Sequence, residues 1–401
     1  MSALRVALCA DFPEEQWPSM DRVANELVAH LRRSHSDAVD PTQVCPPFAR
    51  RASRIVRSGS AFAVDRALNR WWDYPRHVEA IRSEYDLFHV IDHSYAQLVH
   101  HLPSARTVVT CHDLDTFRSV LRPQDEPRSA LFRKATRRIL TGLQQAAWIT
   151  CDSAAVRDEL VGFGVVSPEC VSVVPVGVGE GFSAAPDEAA DGTAARMIAS
   201  RASGRSAAGA IELLHVGSTV ARKRIDALLA ICAALVPRVP DLHLVRVGGP
   251  FTVEQERMIH DLCLADRISV LGFLDERTLA AVYRRAALVL QPSEREGFGL
   301  PLLEAMACGT PVVASDLPVL KEVGGAAVEY CPVGDTEAWV RAVSALVDER
   351  RRDLARWSAR QAVGRVRARG FSWSRFAANM TDIYQTISKS QLSSLSYQVS
   401  A

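Results

Sequence analysis

Short apolar runs alternate with longer amphipathic stretches along nearly the whole chain, and the runs fall into two series. In the first, residues 4–10, 86–92, 106–112, 147–152 and 170–176 read as strands. In the second, the same holds for 211–216, 242–247, 268–271, 288–291, 311–315 and 326–331. Strands apolar on both faces and separated by helices belong to parallel sheets covered on both sides. Two such series predict an α/β chain of two Rossmann-like domains facing each other across a cleft. A (β/α)8 barrel has the same rhythm, but the interruption between the series argues against it.

That interruption, 184–210, is rich in Ala, Ser, Gly and Asp and reads as a linker or surface insertion. Residues 1–183 then form one domain and 211–372 the other, which suits a length of 401 residues. A helix over 373–387 is expected to pack back onto the first domain. The serine-rich 388–401 is expected to fray.

A formal net charge of +1 offers no global attraction for nucleic acid. Nine cysteines include no C-x-x-C pair, and Cys9, Cys111, Cys151 and Cys308 lie in apolar runs where a thiol behaves as a small hydrophobe. With no signal-peptide profile after Met1 and no membrane-length apolar run, a cytoplasmic protein is expected.

The most informative segment is P-S-E-R-E-G-F-G-L-P-L-L-E-A-M-A-C-G-T-P, residues 292–311. A buried strand runs into a glycine-bearing loop, Pro301 opens a helix where its missing N–H costs nothing, and Gly309 ends it. The amides of Phe298, Gly299 and Leu300 then point out of a helix N-terminus, where partial positive charge favours phosphate. Gly297 and Gly299 admit a ligand close to the backbone. Glu296 falls in the loop and Glu304 in what reads as the first helical turn. Facing a phosphate they would repel it, so they are better suited to accept hydrogen bonds from the hydroxyls of a ribose and a hexose. An isolated pair of carboxylates is more often solvated or helix-stabilising; the Gly-Phe-Gly-Leu-Pro between them favours the ligand reading.

Glu296-x7-Glu304 within E-G-F-G-L-P-x-L-E-A-M-A-C-G-x-P-V-V-A-S resembles the signature of the family 4 retaining glycosyltransferases, which have the GT-B fold. The resemblance covers most of the chain and is strongest over 213–335. It implies a nucleotide-sugar donor, with Glu296 near the sugar hydroxyls, Glu304 on the ribose, and backbone groups around Phe273 offered to the base. It implies transfer of a hexose to a glycan, lipid-linked or small-molecule acceptor, with no cofactor and no metal. A nucleotide-sugar epimerase or hydrolase on the same fold, or a non-catalytic sugar-nucleotide binder, would carry the same pocket.

Two further stretches fit this frame. L-H-V-G-S-T-V-A-R-K-R, 214–224, is a strand, a small-residue turn at Gly217 and Ser218, and three cations. Cations at a helix start are unfavourable without an anion, and a diphosphate would supply one, Arg222 forking onto two oxygens and Lys223 acting as a point charge. Many members of the family have arginine where this chain has Ser218. V-V-T-C-H-D-L, 108–114, is similar to the family's V-V-x-x-H-D-L and casts His112 as a sugar-contacting catalytic residue, with Asp113 orienting the loop. A lone histidine at a strand end equally serves local hydrogen bonding. Asp113-Leu114-Asp115 also spells a D-x-D metal motif, which is too short to carry weight.

The turn 11–21 lacks the paired glycines common in the family. Its carboxylates and Trp17 suit an acceptor-side surface, or packing. Finally, 48–82 holds eight arginines, at 50, 51, 54, 57, 66, 70, 76 and 82, around Trp71 and Trp72. A basic stretch with aromatics suits a peripheral contact with an anionic bilayer over Arg50–Arg82, to which Arg128–Arg138 would add; a solvated face with Trp in the core is the alternative.

Overall fold

The computed structural model describes residues 3–56, 58–201 and 209–399, with side chains as far as residue 390. The chain divides into two compact units, Met1–Gly177 together with Trp373–Ala401, and Val178–Ser372.

The first unit is a six-stranded, wholly parallel sheet. Its strands are β1 (Leu4–Cys9), β2 (Val39–Val44), β3 (Leu87–Val90), β4 (Thr107–Cys111), β5 (Trp148–Cys151) and β6 (Val171–Val173), in the order β2-β1-β3-β4-β5-β6. The chain starts at β1, runs to one edge and returns on the other side, so the winding reverses between β1 and β3. β2 escaped the sequence reading because V-D-P-T-Q-V carries Pro41 and few apolar residues, a composition tolerated only at an edge.

A long helix, Trp373–Val399, closes this unit. Trp373, Phe376, Ala377, Met380 and Tyr384 are buried. Tyr384 Oη lies 2.7 Å from His89 Nδ1, whose Nε2 meets Thr110 Oγ1 at 2.7 Å, and Thr110 meets Thr150 Oγ1 at 2.8 Å. The polar groups of β3, β4 and β5 thus satisfy one another beneath the helix. Neither glycine nor proline interrupts 373–399, so the helix runs past Ser388, where fraying was expected; residues 400 and 401 lie outside the described residues.

The second unit repeats the plan with β7 (Ile211–Val216), β8 (Leu242–Val247), β9 (Ile268–Leu271), β10 (Leu288–Gln291), β11 (Val312–Ser315) and β12 (Glu329–Cys331). All pairs are parallel and the order is β12-β11-β10-β7-β8-β9. Here the winding reverses between β7 and β10. Leucine and isoleucine of β7, β8 and β10 meet Trp339, Val343 and Val347 in its core.

The segment expected as a linker is in part a helix, Glu188–Arg201, belonging to the second unit. Ala190, Ala194 and Ile198, four apart, form its buried stripe, and Arg277–Asp187 and Arg284–Asp191 pairs bind it to the neighbouring helix. The stripe is too small in volume to register as apolar periodicity in the sequence. Residues 202–208 of that segment, like Met1 and Ser2 at the start, lie outside the described residues.

Candidate functional site

Ligands in open α/β sheets bind outside the carboxyl ends of the strands where the winding reverses. In the second unit that place is defined by the turns after β7 and β10. Lys223 ends a short 3-10 turn, Ala221–Lys223, after β7; Glu296 lies in the loop after β10. The two loops are tied together, with Glu294 N donating to Arg222 O (2.8 Å) and Arg222 Nη1 donating to Arg295 O (3.2 Å).

The carboxylate of Glu296 is the hub. Its Oε1 accepts from Lys223 Nζ (2.6 Å), Gln291 Nε2 (2.7 Å) and Ser293 Oγ (2.7 Å), and Arg222 Nη1 stands 3.4 Å from Oε2. The side chain is only 5% exposed. Burial alone would push its pKa up, but Lys223 and Arg222 outweigh burial and hold it down at about 2. The protein itself therefore supplies part of the anion that the cations at 222–224 require. Lys223 has Glu296, and Arg224 forks onto Asp226 (3.0 and 2.8 Å) from a left-handed backbone with φ 50°. Lys223 keeps capacity in reserve, since an ammonium carries three donors and Glu296 takes one.

Beyond Glu296 the loop enters the helix Leu300–Ala307, with Pro301 in its first turn. Gly299 caps it at φ 102°, and a Cβ there would fall 2.7 Å from Leu320 Cδ2. Leu302 and Leu303 both donate to the Gly299 carbonyl (3.0 and 3.2 Å), so the amides of Phe298, Gly299 and Leu300 are the ones at the mouth of the helix. The Phe298 ring itself turns inward and packs edge-on against Phe371 at 5.8 Å. Glu304 is the fifth helical residue, in the second turn and not the first as the sequence suggested, because the helix begins at Leu300. It is buried, and Tyr283 Oη donates to its Oε2 (2.8 Å). Gly217 follows β7 at the same sheet edge, Ser218 is half-buried beside it, and Phe273, after β9, is exposed.

In the first unit, His112 follows β4 and is buried. Its Nδ1 lies 2.6 Å from Asp152 Oδ2 and its Nε2 2.8 Å from the Ile91 carbonyl. Burial opposes the imidazolium, but Asp152 first and then Asp92 overcome it and push the pKa up to about 10. Both ring nitrogens thus have partners within the first unit. Asp113 Oδ1 accepts from Asp115 N (3.0 Å) and Asp115 from Arg118 Nε (3.0 Å), so both carboxylates shape the loop.

At the reversal of this first sheet stand Asp11, after β1, and Asp92, after β3. Asp11 is buried, and burial followed by the charge of Asp92 raises its pKa well above the carboxylate range. Glu15 is also turned inward toward Arg70 (3.5 Å). Asp11 and Glu15 of the 11–21 turn thus face the interior instead of forming an open surface, while Glu14 and Asp21 are half-buried and Trp17 is about half exposed.

Gln291, Ser293, Tyr283 and Asp152 escaped the sequence reading as partners, as did the pairing of Asp11 with Asp92. One had a visible signal. Thr110-Cys111-His112 and Thr150-Cys151-Asp152 end neighbouring strands in register, Cys111 opposite Cys151, so the two residues that follow are adjacent.

The arginine-rich segment is folded more tightly than an amphipathic surface helix would be. Asp65, fully buried, accepts from the Ser53 hydroxyl (2.5 Å) and from the amides of Arg51, Ala52 and Ser53 (2.9, 2.7 and 2.9 Å), which together hold its pKa low despite burial. Arg51 forks onto Asp73, Arg70 lies over the Tyr95 ring and donates to the Ser94 carbonyl, and Arg76 stacks on Trp72. Arg57 lies outside the described residues. Trp71 is half-buried, while Ile55, Val56 and Trp72 are exposed, as are Leu131 and Phe132. No helix among the described residues is long and apolar enough to cross a membrane.

The comparisons with known proteins agree with this architecture. The Glycosyltransferase Family 4 domain matches residues 20–180, and the Glycosyl transferases group 1 domain matches residues 198–362. The D-inositol 3-phosphate glycosyltransferase of Salinispora tropica is 38% identical over 186 residues, 42% of this chain and 37% of that protein. The protein of the same name from Saccharomonospora viridis is 40% identical over 207 residues, 46% of each chain. The matches thus span less than half the length of either relative. Anabaena Alr3699/HepE, solved in complex with UDP, superposes with a TM-score of 0.67 at 15% identity over 96% of this chain and 100% of that one, a likeness of fold. Two parallel α/β units and the sequence matches to both together establish that the chain belongs to the family 4 glycosyltransferases, with the GT-B fold.

Proposed function

We propose that the chain moves a hexose, with retention of configuration and without a metal ion, from a nucleoside-diphosphate sugar to a polyhydroxylated acceptor: a glycan, a lipid-linked sugar or a small molecule. The observation that carries this reading is the Lys223–Glu296 pair beside the mouth of the 300–307 helix, at the reversal of the second sheet. The donor's diphosphate takes the two free N–H groups of Lys223, the guanidinium of Arg222 and the amides of 298–300. As the glycosidic bond breaks, negative charge grows on that diphosphate, and donors already in place stabilise it without reorganisation. Glu296, ionised at neutral pH, keeps Lys223 aimed and accepts sugar hydroxyls through Oε2. Glu304 accepts from the ribose, sharing its carboxylate with Tyr283, and the turn at Phe273 borders the base. In this role His112 and Asp152 hold the loop after β4 in shape.

Support comes from the family itself and from the printed names of its members: the two relatives act on an inositol phosphate, and the Anabaena protein binds UDP. A role in cell-surface polysaccharide or glycoconjugate synthesis is the setting such a transferase fits. A thermal-shift panel of UDP-, GDP- and ADP-sugars tests the donor; a ligand at a hundred times its dissociation constant stabilises by about 2.7 kcal/mol. Transfer is then measured with the best donor, with and without a chelator. Loss of activity on chelation contradicts the metal-free mechanism. Donor consumption that needs no acceptor means a hydrolase or epimerase, and no binding of any donor contradicts the reading as a whole.

The exposed apolar residues Ile55, Val56, Trp72, Leu131 and Phe132, with Arg54, Arg66 and Arg128 close to them in the sequence, support a peripheral contact with an anionic bilayer.

A further inference from the structure

His215 is the next-to-last residue of β7 and is 1% exposed. Buried histidines elsewhere in the molecule have ring partners: His89 has Tyr384 and Thr110, and His243 has Ser269 at 2.8 Å. His215 does not follow them, and its Nδ1 has no hydrogen-bond partner among the described residues. Such a group in a close-packed interior calls for an explanation.

The other edge of the ring, Cε1 and Nε2, faces the turn that follows β7. Gly217 has φ 156°, and the point a Cβ would occupy there lies 3.4 Å from His215 Cε1, 3.9 Å from His215 Nε2 and 3.8 Å from Lys223 Cε. An atom set against Gly217 on that side touches the imidazole edge and the lysine stem together. From behind, the Gly217 carbonyl is fixed by Arg246 Nη2 (3.2 Å) and crowded by Gly248, where a Cβ would fall 2.1 Å away. The turn is thus rigid on one side and open to a small group between His215 and Lys223 on the other.

We propose that His215 is a further donor-site residue, its Nε2–H donating to a phosphate oxygen seated over Gly217 beside Lys223 while Nδ1 stays unprotonated. This rests on the donor reading above and adds a residue to it. The charged groups facing the ring are Arg246, Lys223 and Glu296; burial, then the two cations, keep the imidazole neutral, with a pKa of about 3. A neutral imidazole offers one N–H and no charge, so it can stand beside Lys223 where a third cation would be repelled. That suits a turn in which Ser218 replaces the arginine of many family members.

The test compares UDP, GDP and ADP, and the nucleosides uridine, guanosine and adenosine as phosphate-free controls, by titration calorimetry. The proteins are wild type, His215→Leu and His215→Gln. His215→Leu should weaken the best-bound diphosphate about tenfold and leave its nucleoside unchanged. His215→Gln, whose amide keeps an N–H, should stay within about threefold of wild type. Diphosphate binding unchanged in His215→Leu, or an equal loss for diphosphate and nucleoside, overturns the assignment. If wild type binds none of the three diphosphates, it is the donor reading that fails. Should the leucine variant not fold, imidazole 15N NMR of wild type reads the contact directly. The His215 nitrogens should shift with diphosphate and not with nucleoside, and the absence of that shift overturns the proposal.

Discussion

Lys223 Nζ lies 2.6 Å from Glu296 Oε1 across 73 residues of sequence, and both side chains are nearly buried, 12% and 5% exposed. The same lysine is the cation proposed for the donor diphosphate, so folding and donor binding draw on one group.

Removing one partner of a buried pair strands the other charge. Lys223→Ala should therefore abolish transfer and also destabilise the fold, by about 3 kcal/mol in chemical denaturation. Lys223→Met combined with Glu296→Gln should recover much of the stability and none of the activity. A Lys223→Ala protein of wild-type stability would show that the pair contributes nothing.

Glu296 should shape the acid limb of stability. Its pKa is depressed from an ordinary 4.5 to about 2. The unfolded chain therefore takes up its proton first as pH falls. The stability it contributes is complete above pH 4.5 and is lost between there and about pH 2. Glu296→Gln should flatten that part of the stability–pH curve; an unchanged slope would assign it to other carboxylates.

His112 should act at the opposite end. Its pKa is raised from 6.5 to about 10, so its stabilisation is complete below pH 6.5 and lost as pH rises toward 10. His112→Gln should remove this alkaline loss. Because the ring contacts Asp152 and the Ile91 carbonyl, the variant should lower transfer by less than Lys223→Ala does. A complete loss of activity in a well-folded His112→Gln protein would return the ring to the sugar.

Gly299 cannot be replaced cheaply. At φ 102°, with Leu320 2.7 Å from the position of a new Cβ, Gly299→Ala should cost on the order of 1–3 kcal/mol. By tilting the amides at the helix mouth it should also weaken nucleoside diphosphate binding more than nucleoside binding. Calorimetry on the folded variant checks both.

Flotation with anionic liposomes at low salt tests the exposed apolar and basic residues of the first unit. Wild type should co-migrate, and Ile55→Ser with Trp72→Ser should reduce co-migration without affecting transfer to a soluble acceptor. Arg51→Ala should behave differently, since that arginine is paired with Asp73. No co-migration of wild type ends the membrane reading.

Much of this molecule is legible in its sequence, for physical reasons. Parallel strands covered on both faces must be apolar throughout, so eleven of the twelve strands stand out as runs, and β2, an edge strand with Pro41, does not. The Gly-Phe-Gly-Leu-Pro turn demands a left-handed glycine before a proline-opened helix, and Gly299 and Pro301 provide it. The family signature rests on these local rules. What side chains do at the ends of the strands is another matter. That Lys223 reaches Glu296 and that Asp152 takes His112 depend on which strands become neighbours, β7 beside β10 and β4 beside β5. Sheet order is set by packing between elements distant in the chain, and these two hydrogen bonds of 2.6 Å exist only once that order is made.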